Sequence, residues 1–177
     1  MALLLRRVLG ALGLDPAVFE DVERDRGATW QAFLVVLVAG IGAGIGNAGI
    51  GTGAAAPIAA IALGTLVVWV TWAALIFYLG TRALPEPTTS ADLGEVLRTL
   101  GFAAAPGMFR AFEVFGGMRW LVLPATSLWM VAAMVVAIRQ SLDYSSTTRA
   151  VQLAVLGWLV SFGVALVVGF LLARPVS

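Results

Sequence analysis

The chain has 177 residues, of which 60% are hydrophobic and only 12% are charged, with a formal net charge of +1. This composition excludes a water-soluble domain, because a chain of this length cannot bury so much apolar surface. The net charge gives no case for nucleic-acid binding, which needs a clustered basic face. The sequence contains no Cys, His or Lys, so thiolate, imidazole and Schiff-base chemistry are also excluded.

Residues 1–28 predict an N-terminal segment of amphipathic helices that are interfacial or cytoplasmic. Leucine and valine residues recur at helical spacing between residues 4 and 12 around two arginines, as in a helix that lies on a membrane surface. Asp15 and Pro16 then start a second helix, with Asp as its cap and Pro in its first turn. This acidic helix is either a solvated helix packed on the membrane domain or a helix that docks a partner.

Residues 29–177 predict a membrane domain, so the expected fold class is all-α, a polytopic bundle of five transmembrane helices. A helix needs about 17–25 predominantly apolar residues to cross a bilayer. Five apolar stretches are present. Four of them satisfy this length, whereas the third in chain order is shorter and carries charged residues. The five expected spans are residues 30–46, 57–79, 101–116, 120–138 and 150–173.

The first span ends in a run of glycines over residues 40–53. Gly44, Gly46 and Gly49 match the spacing of a dinucleotide-binding loop, but that loop needs an acidic residue about 20 positions later, and no acid occurs before Glu86. Small residues at the end of a membrane helix instead predict close packing against a neighbouring helix, followed by an extracytoplasmic turn.

The third stretch carries the residues that are most costly in lipid, Arg110 and Glu113. An ionisable group deep in a bilayer costs about 2.5–3.5 kcal/mol, which makes it a functional-site hypothesis. The two residues share one helix face and can pair, and Pro106 just upstream predicts a kink. A kinked helix with a buried ion pair is typical of a small channel or transporter. The alternative is a segment near the outer interface, where Arg110 reaches the headgroups and Glu113 is hydrated.

A polar cluster follows the fourth span immediately. Arg139 and Asp143 stand four residues apart and pair if the helix continues. They either anchor the helix end on the cytoplasmic side or face the polar helix that carries Asp92, Glu95 and Arg98. In the second case the two groups together form a surface for a cytoplasmic partner.

The fifth span carries a stripe of small residues at four-residue steps, namely Gly157, Ser161, Ala165 and Gly169. Such a stripe lets two helix backbones approach closely, and lipid supplies no hydrophobic drive that would replace this contact. The stripe predicts helix packing, either against another helix of this chain or against a second copy in a homo-oligomer.

The distribution of arginine predicts the orientation, because positive residues accumulate on the cytoplasmic side of a membrane protein. With five spans, the amino terminus and the loops after the second and fourth spans share one side. That side holds Arg6, Arg7, Arg24, Arg26, Arg82, Arg98, Arg139 and Arg149, whereas the opposite loops hold Arg119 and Arg174. We therefore expect a plasma (inner) membrane protein with a cytoplasmic amino terminus and an external carboxyl terminus.

Four blocks of the sequence occur in the order seen in a known family, at residues 14–16, 78–82, 97–107 and 136–144. The chain resembles the prokaryotic branch of the Yip family over about residues 12–172. The resemblance implies a domain of five spans, and for eukaryotic members it implies Golgi and endoplasmic reticulum proteins that interact with Rab GTPases and affect vesicle traffic or membrane shape. Those members carry an Asp-Leu-Tyr-Gly-Pro-type motif that this sequence lacks.

Together these features predict a non-enzymatic integral membrane protein without cofactor or metal. We expect it to act as an adaptor, a membrane-organising factor or an accessory subunit, with the lipid bilayer and a membrane or cytoplasmic protein as partners. The alternative function is a small channel or transporter that uses the third span.

Overall fold

The computed structural model describes residues 1–172, with the side chains of residues 1–164 and of Leu166. Within that range it is helical and contains no strand. Two irregular helices interrupt the α-helices: a π-helical turn (Leu79–Ala83) and a 3₁₀ helix (Ala105–Val114). The α-helices are α1 (Ala2–Leu12), α2 (Pro16–Arg24), α3 (Ala28–Ala48), α4 (Ala55–Tyr78), α5 (Leu93–Ala103), α6 (Arg119–Ser141) and α7 (Thr147–Leu172).

Four helices in the described part of the chain are long and apolar enough to cross a membrane. They are α3, α4 with its π-helical turn, α6 and α7, and they correspond to the first, second, fourth and fifth predicted spans. The third predicted span, residues 101–116, does not form one helix of that length. Its α-helix ends at Ala103 because Pro106 cannot donate a backbone hydrogen bond and its ring obstructs the preceding turn, and the chain continues as the 3₁₀ helix.

Although it changes helix type, the third segment runs the length of α3. A Cβ added at Gly101 would lie 2.7 Å from the Cβ of Ala32, and one added at Gly42 would lie 2.6 Å from the carbonyl oxygen of Met108. Further along, Gly46 lies against the backbone of Arg110. The contact therefore extends from Ala32 to Gly46 of α3, a distance of 14 helical steps or about 21 Å at 1.5 Å per residue.

The N-terminal helices form an antiparallel hairpin, and α2 packs between α5 and α6. Val18, Phe19 and Val22 are the buried face of α2. The indole nitrogen of Trp129 in α6 donates to the carbonyl oxygen of Leu12, at the tip of the hairpin. We call this end of the bundle, with α1, α2, the starts of α3 and α5 and the end of α6, the hairpin end.

Two helices expose broad apolar surfaces on the outside of the bundle. In α4 the exposed residues include Val67 and Val68, and in α7 they include Leu159 and Phe162. The two helices meet through Trp72 and Trp158, whose rings pack edge to face with centroids 5.6 Å apart. Apolar side chains in such positions match a lipid environment, which needs no polar surface.

Candidate functional site

Arg110 and Glu113 form an ion pair in the 3₁₀ helix. The Nε of Arg110 donates to Oε1 of Glu113 at 2.8 Å, and the Glu113 side chain is completely buried whereas that of Arg110 is 29% exposed. The Nε of Arg119, at the start of α6, lies 3.8 Å from Oε2 of Glu113. That distance is too long for a hydrogen bond, so Oε2 has no hydrogen-bond partner among the described residues.

The position of this ion pair follows from the local sequence. Pro106 lies in the first turn of the 3₁₀ helix. Side chains three residues apart are eclipsed in such a helix, so Arg110 and Glu113 emerge on one side. Gly46 of α3 faces the same segment, and a Cβ there would lie 3.0 Å from the Cβ of Glu113. The sequence prediction of pairing is thus reproduced by the geometry, with a third helix closing over the carboxylate.

Close packing around Glu113 favours a structural role for the pair. The carboxylate connects the 3₁₀ helix with Arg119 of α6, while glycines of α3 let the backbones touch. In the described part of the chain, Glu113 is enclosed between the 3₁₀ helix, α3 and α6.

The five residues predicted to form a cytoplasmic partner surface have different roles in the structure. They are Asp92, Glu95, Arg98, Arg139 and Asp143. Arg98 is buried, and its Nε and a terminal nitrogen both donate to the carbonyl oxygen of Glu23 in α2. Asp92 and Glu95 form the capping box of α5, in which each side chain accepts from the backbone nitrogen of the other residue. Arg98 is therefore an internal contact between two helices, because its long side chain reaches back to α2.

The predicted pair between Arg139 and Asp143 does not form in the described structure. α6 ends at Ser141, and Asp143 adopts a left-handed conformation with a φ of 51°, which turns its side chain away from the helix face. Arg139 instead donates to the carbonyl oxygens of Tyr144 and Ser145 and so closes the helix end. Asp143 stays exposed.

A polar cavity of about 190 Å³ lies where α2 meets the end of α6. Its carboxylates come from two distant parts of the sequence, and Arg139 adds a cation to its wall. The residues that line it are Glu20, Glu23, Arg139, Gln140, Asp143 and Tyr144. Within the described chain, no group of three or more acidic residues is arranged to hold a metal ion.

The charges and burial of this cavity affect the pKa of Glu23 most clearly. Its pKa is raised from 4.5 to about 7, first by desolvation and then by the negative charges of Asp143, Glu95 and Glu20, with Arg24 acting in the opposite direction. The pKa of this carboxyl group is raised mainly because burial removes it from water, and the neighbouring carboxylates add to the effect.

Sequence reasoning missed two anchoring residues at the hairpin end. Arg7 is buried in the hairpin, where its Nε donates to Asp21 and its Nη1 donates to Asp25, both at 2.8 Å. The sequence alone did not predict this burial, which arises because the acidic face of α2 folds onto α1. The hydroxyl of Tyr144 donates to the carbonyl oxygen of Leu84 at 2.6 Å and ties the loop after α4 to the end of α6.

The small-residue stripe of α7 is described in part. A Cβ added at Gly157 would lie 3.1 Å from side-chain atoms of Ile76 and Trp72 in α4. Ser161 is half-buried. Ala165 and Gly169 lie outside the residues whose surroundings the structure describes.

The fold and the lipid-compatible surfaces define the class of this molecule: it is a multi-pass helical membrane protein. The Yip1 domain family model matches residues 9–169, so the chain belongs to the Yip1 domain family. Comparison with curated proteins and with solved structures gave no match.

Proposed function

We propose that this protein is a non-enzymatic membrane adaptor or accessory subunit that binds a protein partner at its hairpin end. The observation that carries the proposal is the polar cavity between α2 and the end of α6. Glu20 and Glu23 reach it from α2, and Asp143 reaches it from the turn after α6. Three carboxyl groups and one arginine line the cavity, and this surplus of acidic groups suits a partner segment with basic residues.

The proposal includes five membrane crossings, with the third segment crossing as α5 and the 3₁₀ helix. Their lengths of 11 and 10 residues amount to about 36 Å along the chain, so a bilayer core of about 30 Å is crossed with the first turn of α5 left at the cytoplasmic hairpin end. The contact along α3 supports this path. Five crossings and the arginine distribution give a cytoplasmic hairpin end in the plasma membrane and an external carboxyl terminus.

The partner is tested by purification from native membranes in mild detergent. We expect the double variant Glu20→Gln and Asp143→Asn to lose the co-purified partner at least about fivefold, because each lost interfacial charge removes attraction. Asn tolerates the left-handed backbone at position 143. Arg82→Gln is the matched control, since Arg82 is an exposed charge at the same end but does not line the cavity.

The same partner, identified by mass spectrometry, must be retained by the control and lost by the double variant. If the wild-type protein purifies alone as a monomer, the adaptor proposal is wrong. The orientation is tested separately with a reporter fused after Ser177. We expect a reporter that is active only outside the cytoplasm to be active in this fusion. Activity of a reporter that works only in the cytoplasm would overturn the five crossings.

A further inference from the structure

A second cavity, larger and mainly apolar, opens between the start of α3 and the middle of α4. Its volume is about 480 Å³. It lies at the hairpin end but does not share a residue with the polar cavity. We call it the aromatic groove, and its lining residues are Arg26, Gly27, Thr29, Trp30, Phe33 and Trp69.

The walls of the aromatic groove are held in place by contacts of their own. The indole nitrogen of Trp69 donates to the carbonyl oxygen of Leu97 at 3.0 Å, which fixes the ring against α5. Trp30 and Phe33 stack on each other, with ring centroids 4.9 Å apart and planes inclined by 14°. Trp30 is nevertheless 64% exposed. The groove is thus a preformed apolar surface, which lowers the cost of ordering it around a ligand.

The rim of the groove is polar and positive. Arg26 and Thr29 are both exposed, and Arg26 has no carboxylate within ion-pair distance in the described part of the chain. The neighbouring Asp25 carboxylate is already bound by Arg7 and by the backbone nitrogen of Gly27. The guanidinium of Arg26 therefore remains available for an anion from outside the chain.

We propose that the aromatic groove binds one anionic glycerophospholipid. Its phosphate is held at the rim by the guanidinium of Arg26 and the hydroxyl of Thr29, since arginine recognises phosphate with paired hydrogen bonds. One acyl chain lies along Trp30, Phe33 and Trp69, in a groove whose apolar wall and cationic rim match the two parts of such a lipid. Tryptophan at this level also suits the membrane interface. The proposal does not depend on the adaptor function.

Lipid preference tests this assignment. The purified full-length protein in neutral detergent is titrated with phosphatidylglycerol or phosphatidylcholine, and the bound lipid is counted by native mass spectrometry. Both lipids carry the phosphate, but only phosphatidylglycerol has a headgroup of net negative charge. We therefore expect the wild type to prefer phosphatidylglycerol about fivefold, the factor that one arginine at such a headgroup contributes. Arg26→Gln is expected to reduce the ratio to about one.

Arg24→Gln is the matched control, because Arg24 is an exposed arginine two residues away that pairs with Glu20 outside the groove. It is expected to keep the wild-type preference. Trp30→Ala, which removes one wall, is expected to weaken both lipids about equally and to leave the ratio unchanged. Circular dichroism and size-exclusion elution verify that each variant is folded.

Three results would overturn the proposal. In the first, Arg26→Gln keeps the preference for phosphatidylglycerol. In the second, Arg24→Gln and Arg26→Gln lose it equally, which makes the effect one of overall charge. In the third, inorganic phosphate at the same concentration displaces phosphatidylglycerol, which assigns the rim to a free anion and leaves the apolar wall without a role.

Discussion

The bundle is held together by side chains at one end and by backbone contacts at the other. At the hairpin end the completely buried side chains include Phe19, Val96 and Ile138. They come from α2, α5 and α6, so the small helix α2 acts as the centre of a side-chain core. This end resembles the interior of a soluble domain.

At the opposite end, which we call the glycine end, α3 has almost no side chains at its contacts. A Cβ added at Gly40 would lie 2.9 Å from the Cα of Ala62 in α4, and one added at Gly42 would lie 3.0 Å from the Cα of Met108. Glycines on both faces of α3 let two neighbours approach at once. In lipid, where apolar burial gives little drive, such close backbone packing takes over the stabilising role.

The largest effect is expected from filling the glycine end. Gly42→Leu places a side chain where the backbone of the 3₁₀ helix lies, so the helices must separate, and we expect destabilisation above about 3 kcal/mol and loss of the monodisperse peak in size-exclusion chromatography. Gly64→Leu is the control, because a Cβ at Gly64 would meet nothing within 4 Å. Equal yields of the two variants would refute backbone packing as the main contact.

A smaller but clear effect is expected from opening the side-chain core of the hairpin end. Phe19→Ala leaves a cavity between α2, α5 and α6 and should lower the free energy of unfolding by about 3 kcal/mol. Leu9→Ala in α1 is the control, since Leu9 is 58% exposed. Unfolding in mixed micelles with rising denaturing detergent measures both. If the two variants lose the same stability, α2 does not carry the core of this end.

The smallest effect is expected at Glu23 and depends on pH. Because burial raises its pKa from 4.5 to about 7, the folded state binds the proton more tightly than the unfolded state. Ionisation therefore lowers stability as the pH rises from 4.5 to about 7. Glu23→Gln removes this loss, so the variant should gain about 1 kcal/mol over the wild type above this range, after allowance for solvent screening, and nothing below it.

The measurement is the unfolding free energy of wild type and variant at a series of pH values. Gln140→Ala, which changes an uncharged residue in the same cavity, should keep the pH dependence of the wild type. Parallel curves for wild type and Glu23→Gln would show that Glu23 titrates in the same range in both states, and the electrostatic account of the cavity would then fail.

The helical membrane architecture could be predicted from local patterns. Long apolar stretches predicted α3, α4, α6 and α7, because transfer into lipid depends on each residue separately. Asp15 was predicted as the cap of α2 and accepts from the backbone nitrogen of Ala17. The end of α5 follows from Pro106, although the sequence did not predict that a 3₁₀ helix would continue along α3.

The candidate sites were harder to predict because they depend on residues that are distant in the chain. Asp143 approaches Glu23 only because the hairpin inserts α2 beside α6. For the same reason Arg98 changed from a predicted surface residue to a contact within the molecule. No spacing rule applies to a pair such as Arg98 and Glu23, which are 75 residues apart.

The sequence by itself determined that this is a membrane protein, which segments are apolar, and where the charges that are costly to place in lipid lie. It could do so because hydropathy and proline geometry act over one helix or less. Only the tertiary structure decided that Arg7 is buried, that Glu113 is enclosed between the 3₁₀ helix, α3 and α6, and that Arg26 lies at the rim of the aromatic groove. These outcomes depend on which side chains meet, and that is set by the packing of the whole bundle.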